Sequence, residues 1–229
     1  MFNSTIFLML RNSEIFQVLT EQELQVLTNA AQIKRYDKNV MLYTPGAQNS
    51  FVYFVHKGGV KLGQETACGK ILLKDIAYED SLFGENVFAG DGTRKEFAKT
   101  MTDTSVIKIP TEVFKNLVTE NSNFANEVMK IVLLRLQLLE QRMQSFIFDK
   151  AKKRIMDFIK KTGRLRGIKI GLDEILINHG MSHKEIAHLT DTSRQTVARV
   201  LGELKREKLI HFSDRRPNKI LLKNGLSIA

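Results

Sequence analysis

The chain of 229 residues contains one cysteine, Cys68. A single thiol excludes an intrachain disulfide, and it excludes cysteine-bound zinc and iron–sulfur sites, which need several thiolates. Nothing around Cys68 predicts a lowered thiol pKa, so redox sensing through it has no support. Long apolar runs are also missing: none approaches the ~18 residues of a membrane-spanning helix. The opening "MFNSTIFLML" is apolar, but it has no basic n-region and no small-residue cleavage site follows it. It is not expected to be a signal peptide, and the expected compartment is the cytoplasm.

Histidine is scarce where an enzyme would need it. Of the five histidines, only His56 falls in residues 1–149. A metal site of the cupin kind needs several His and carboxylate ligands converging in a barrel. A lone histidine on a strand is more readily a structural residue than a haem ligand, and no nucleophile–base pair is visible. Catalysis is therefore not expected.

What is present is basic charge, and it is concentrated. Residues 150–229 hold 19 Lys/Arg against 8 Asp/Glu, whereas residues 1–149 hold 16 against 17. A basic segment joined to a neutral one predicts a polyanion partner for the basic part.

Helix and strand signals divide the chain further. Thr20 and Glu23 form a capping box ahead of Leu24, Leu27 and Ala31. From Lys34 to about Ile109, short β-rich runs such as "SFVYFVHKGGVKL" and "TSVIKI" alternate with Gly, Asn and Asp breaks, the texture of an antiparallel roll. Pro110 opens a short helix. A long helix is expected over 122–148, where Ala125, Met129, Val132, Leu136, Leu139, Met143 and Phe146 alternate at spacings of four and three. Phe124, Val128, Ile131, Leu134 and Leu138 form a second apolar face. The simplest arrangement packs one face on the roll and the other on the same helix of a second copy; the alternative is a helix fully buried in a monomer. Another helix starts near Asp149, with Gly163 as its expected stop. The domain boundary is placed at 148–150, where the charge balance changes.

The stretch "MSHKEIAHLTDTSRQTVARVLGELKREKLI" carries two candidate capping boxes, Ser182 with Glu185 and Thr192 with Gln195. The connection "LTDT" has the length of a helix-turn-helix turn, and Asp191 stands where that turn often has glycine. Such a pair of helices presents the start of the second to a DNA major groove. Ser193, Arg194, Gln195, Thr196 and Arg199 lie on its first turn and a half. Arginine pairs with guanine N7 and O6, glutamine with adenine N7 and N6, and hydroxyls suit phosphates. Gln195 serves either base reading or its capping box. Two short strands follow around a basic turn, a wing whose Arg215, Arg216 and Lys219 are placed to meet phosphates.

The segment "HKEIAHLTDTSRQTVARVLGELKREKLI" resembles the helix-turn-helix of the cyclic-AMP receptor protein/fumarate–nitrate regulator (CRP/FNR) family of bacterial transcription factors. "FVYFVHKGGVKL" resembles the family's β-roll hairpin, and "LFGENVFAGDGTRKEFAKTMTDTSVIKIP" its effector segment. The resemblance implies an α+β chain: a cyclic-nucleotide-binding-like β-roll (1–121), a dimerisation helix (122–148) and a winged helix-turn-helix (149–229). It implies homodimers, duplex DNA with a two-fold symmetric operator, and RNA polymerase as partners. It puts Arg194, Gln195 and Arg199 where the family reads bases, and Ser193 and Thr196 near its phosphate contacts. The middle base-reading position is usually Glu, so an operator differing from the common TGTGA half-site is expected. It also puts Gly84 and Glu85 where a ribose hydroxyl binds and Arg94 where a phosphate binds. Lys95 follows Arg94 in place of Ser or Ala, and Leu139 and Glu140 replace the hydroxyls that contact adenine. The expected effector is a small anion, cyclic AMP or another; a nucleotide-binding regulatory subunit and an effector-independent regulator are the alternatives.

Overall fold

The computed structural model describes residues 4–66, 71–89, 92–170, 174–213 and 216–223. Cys68 and Arg215 lie outside the described residues. The chain forms two compact units, residues 1–138 and 139–229. The division falls inside the long helix, about ten residues before the change in charge balance at 148–150.

In the first unit, α1 (Ser4–Arg11), a 3-10 turn (Glu14–Phe16) and α2 (Glu21–Ala30) precede the strands. The expected Thr20/Glu23 capping box is formed. Ile6 and Leu10 of α1 are fully buried, so one face of this helix is core, while Leu8 on its other face is exposed. Eight strands follow: β1 (Gln32–Tyr36), β2 (Met41–Tyr43), β3 (Phe51–Lys57), β4 (Gly59–Glu65), β5 (Ile71–Tyr78), β6 (Leu82–Phe83), β7 (Phe97–Thr100) and β8 (Thr104–Pro110). They make two four-stranded sheets, β1-β8-β3-β6 and β2-β7-β4-β5. All their pairings are antiparallel.

Strand β3 shows why its sequence is apolar at nearly every position. Successive side chains alternate faces, and both faces are covered. Val52 and Phe54 pack with the helices, while Tyr53 and Val55 pack inside the roll with Tyr43, Leu62, Phe83 and Val106. Ile107 and Ile109 of β8 join the helix side in the same way.

Two helices complete this unit's core, α3 (Thr111–Glu120) and the start of α4 (Ser122–Phe148). Phe124 of α4 is fully buried, its ring 5.9 Å from Phe16 and 5.5 Å from Phe114. Val128 and Ile131 extend the contact. The second apolar face is shorter than the sequence suggests: Leu134 and Leu138 are exposed, because Arg135 takes over the stripe after Ile131.

The second unit contains the rest of α4, then α5 (Ala151–Arg166), β9 (Gly167–Lys169), β10 (Glu174–Asn178), α6 (His183–Leu189), α7 (Arg194–Arg206), β11 (Ile210–Ser213) and β12 (Arg216–Lys223). The strands form one sheet in the order β11-β12-β10-β9, so the expected two-strand wing is half of a larger sheet. Gly163 does not stop α5. The helix runs on to Arg166 and ends at Gly167. Gly163 instead lets α5 approach the sheet, since a β-carbon there would stand 3.1 Å from Ile177 Cδ1 and 3.0 Å from Leu222 Cδ1. No helix among the described residues is long and apolar enough to cross a membrane.

Candidate nucleic-acid interface and effector site

Helices α6 and α7 are joined by a turn around Asp191, which adopts a left-handed φ of 50°. The Ser182/Glu185 capping box starts α6 as expected. The box expected at Thr192 and Gln195 is not formed: the N-cap of α7 is Ser193, whose Oγ accepts from the Thr196 amide at 3.0 Å. The left-handed Asp191 and the Thr192 N–H bond to Ala187 O (3.0 Å) leave Thr192 inside the turn and shift the helix start by one residue. Gln195 is thereby released from capping and is exposed beside Arg194 on the first turn.

Ile186 and Ala187 of α6 and Val197, Val200, Leu201 and Leu204 of α7 are buried, which holds α7 by one face only. Its other face carries Ser193, Arg194, Gln195 and Arg199, all exposed, with Thr196 half-buried. Arg199 is ion-paired with Glu203 one turn on, a surface pair that a stronger anion can displace at little cost. The structure thus brings all five residues onto one helix start. Arg216 and Lys219 lie on β12, in register with Ser213 of β11 and Asn178 of β10 respectively.

In the roll, Arg94 is 1% exposed. Its Nη1 donates to Gly84 O and to Asn86 Oδ1, both at 3.1 Å, and its Nη2 donates to Phe51 O. The guanidinium lies 4.3 Å from the centre of the Tyr43 ring and 5.8 Å from that of Tyr53. Gly84, at φ 82°, is where the chain turns beside it, and a β-carbon there would stand 2.9 Å from Arg94 Nη1. Burial beside Glu96 pushes the Tyr43 hydroxyl well above the usual tyrosine range, so Tyr43 is neutral.

Glu85 does not pair with Arg94. It pairs with Arg135 of α4, which also donates to Leu82 O at 2.6 Å and lies 3.8 Å from Asp75. Burial pushes the Arg135 guanidinium below the usual arginine range, with Asp75 opposing the shift. Two buried polar atoms in this cluster have no hydrogen-bond partner: Glu85 Oε2 and Arg94 Nε. Lys95 is exposed, as are Leu139 and Glu140, which belong to the second unit. Sequence reasoning missed Arg135 and Asn86 as parts of this cluster. A signal for Arg135 existed: it continues the four-and-three spacing of Phe124, Val128 and Ile131, so the helix turns it toward the roll. Among the described residues, no group of three or more His, Cys, Asp or Glu is placed to hold a metal ion.

On the seam of α4, Met129, Val132, Leu136, Leu139, Met143 and Phe146 are between 43% and 58% exposed; Ala125 is half-buried. A single chain thus leaves a heptad-spaced apolar stripe in water.

Comparison with known proteins agrees with both halves. Residues 33–121 match the family described as cyclic nucleotide-binding domain, and residues 153–227 match the Crp-like helix-turn-helix domain. A global nitrogen regulator of Synechococcus elongatus is 26% identical over 81% of this chain and 84% of its own length. A CRP-like cAMP-activated global transcriptional regulator of Mycobacterium tuberculosis is 21% identical over 85% of this chain and 86% of its own. Among solved structures, FixK2 from Bradyrhizobium japonicum superposes with a TM-score of 0.74 at 21% identity, covering 85% of this chain and 93% of that one.

Proposed function

Because the chain belongs to the CRP/FNR family of transcriptional regulators, we propose that it acts as a homodimer joined along α4, setting two copies of α7 into the major groove at two inverted DNA half-sites and regulating transcription through RNA polymerase. One observation carries this reading: Arg194 and Gln195 stand exposed and uncommitted on the first turn of a helix whose opposite face is buried. Ser193 and Thr196 supply hydroxyls to phosphates beside them. Arg199, Arg215, Arg216 and Lys219 add positive charge. The exposed seam of α4 supports the dimer, because apolar surface at heptad spacing is stable once a second helix covers it.

A small anionic effector in the roll is the second part of the proposal. A hydroxyl of the effector would donate to Glu85 Oε2 and an anionic oxygen would accept from Arg94 Nε, the two buried atoms that lack partners. Lys95 would add charge at the rim. The effector would share the Glu85 carboxylate with Arg135, which pairs with its other oxygen, so its arrival reaches α4 through that carboxylate. Relatives of similar identity carry names pointing to different signals, cAMP in one and nitrogen in another, so family membership leaves the choice of anion to these residues.

In vitro selection of duplex DNA by purified protein, with and without cyclic AMP and other small anions, tests both parts together. The expected product is two inverted half-sites about one helical turn apart, departing from TGTGA at the base pair read by Gln195. Recovery of plain TGTGA half-sites would contradict the role of Gln195, and recovery of no sequence would contradict the function. Arg194→Ala should cost roughly 1–3 kcal/mol and relax one position of the site.

A further inference from the structure

The turn between α6 and α7 has an aspartate at its left-handed position, a conformation that glycine adopts freely and other residues adopt at a cost. The carboxylate of Asp191 makes contacts glycine could not. Its Oδ2 accepts from Arg142 Nε at 2.8 Å and its Oδ1 from Arg142 Nη2 at 2.7 Å. Nη2 also donates to His188 O at 2.6 Å. This is a two-pronged guanidinium–carboxylate pair, the geometry that gives an ion pair direction as well as strength. The two side chains are 21% and 23% exposed, too sheltered for the pair to count as an ordinary surface bridge. Arg154 of α5 grips the same turn, donating to Thr190 O at 2.9 Å and to Asp191 O at 2.8 Å. Arg142, however, comes from α4, the helix that carries the dimer seam.

We propose that Arg142 and Asp191 are positioning residues which fix α7 on the end of α4, and thereby set the separation of DNA half-sites that the dimer accepts. The inference rests on the dimeric DNA-binding reading above. In a two-fold dimer joined along α4, whatever fixes α7 relative to α4 fixes the distance and angle between the two copies of α7. A single half-site meets one α7 and is blind to that distance. Two inverted half-sites meet both. The clasp therefore contributes to the choice of spacing and not to the reading of bases.

The test uses the full-length protein and duplexes built from the half-site returned by selection. One duplex carries a single half-site; the others carry two inverted copies at the selected separation or moved by one or two base pairs. Asp191→Gly keeps the turn, because glycine tolerates the left-handed φ, and removes only the carboxylate. Arg142→Gln removes the other partner. Both variants should bind the single half-site within about twofold of wild type and lose about tenfold of the preference for the selected separation. The double variant should lose no more than Arg142→Gln alone, because the pair with Asp191 is already removed in that variant. Variants that keep the wild-type preference for separation would overturn the proposal. So would variants that lose single-half-site binding to the same extent, since the pair would then only hold the fold. A wild-type protein that binds no duplex would overturn the DNA-binding reading itself, an outcome distinct from either.

Discussion

His179 is almost completely buried, and its Nδ1 accepts the Met181 amide at 3.1 Å just ahead of α6. Burial, helped by His183, pushes its pKa down from 6.5 to about 4. The folded value lies below the unfolded one, so between them the unfolded chain binds the extra proton. The stability from neutral His179 is complete above about pH 6.5 and is lost as pH falls toward 4, by up to about 3 kcal/mol. Thermal melts at pH 7.5 and pH 4.5 should show the second unit destabilised at the lower pH. His179→Asn, which keeps an acceptor for the amide, should flatten that dependence; an unchanged pH profile in the variant would assign the effect to other groups. Arg94 shows the limit of sequence reading at this scale. Its position after Gly84 and Glu85 was legible, but its burial depends on Tyr43 and Tyr53, about 50 and 40 residues away in the chain, stacking beside it. Likewise the sequence left Gln195 between capping and base reading, and only the left-handed turn at Asp191 decides that it does not cap.

At the scale of elements, what was local was readable. The boxes at Thr20/Glu23 and Ser182/Glu185 involve residues three apart with no competitor, and both form. Where several hydroxyls compete, as at Thr190, Thr192 and Ser193, spacing alone could not choose the helix start. The short strands β1 and β9 were not read individually because they are mostly exposed and carry little apolar pattern. Gly163 and Gly167 illustrate the same point for α5. Gly163 looks like the stop, yet Gly167, four residues on, ends the helix. A β-carbon at Gly167 would stand 2.3 Å from Gly163 O, a backbone atom that cannot step aside, and 2.2 Å from Ile175 Cγ2. Gly167→Ala should therefore destabilise the second unit by about 1–3 kcal/mol in a denaturant titration, as overpacking does. A variant as stable as wild type would mean that β9 is free to shift.

At the scale of the molecule, α4 decides the account. Its heptad seam was visible in the sequence as spacing, and the structure leaves that seam exposed in one chain. The interruption of the second face showed in the sequence only as spacing, because Arg135 and Arg142 look like solvated charges until the roll and the turn supply Glu85 and Asp191. Each buried leucine contributes roughly 1.5–3 kcal/mol to such an interface. Leu136→Glu removes two from a two-fold seam and adds charge, so sedimentation should show the variant as single chains at concentrations where the wild type is paired.

The most direct test is a titration of a fluorescent duplex carrying two inverted selected half-sites, followed by anisotropy at several salt concentrations and with candidate anions. Two chains should bind each duplex, with log affinity falling linearly as log salt rises. One chain per duplex, or no binding even at about 50 mM salt with every candidate anion present, would contradict a paired regulator that reads DNA through the start of α7.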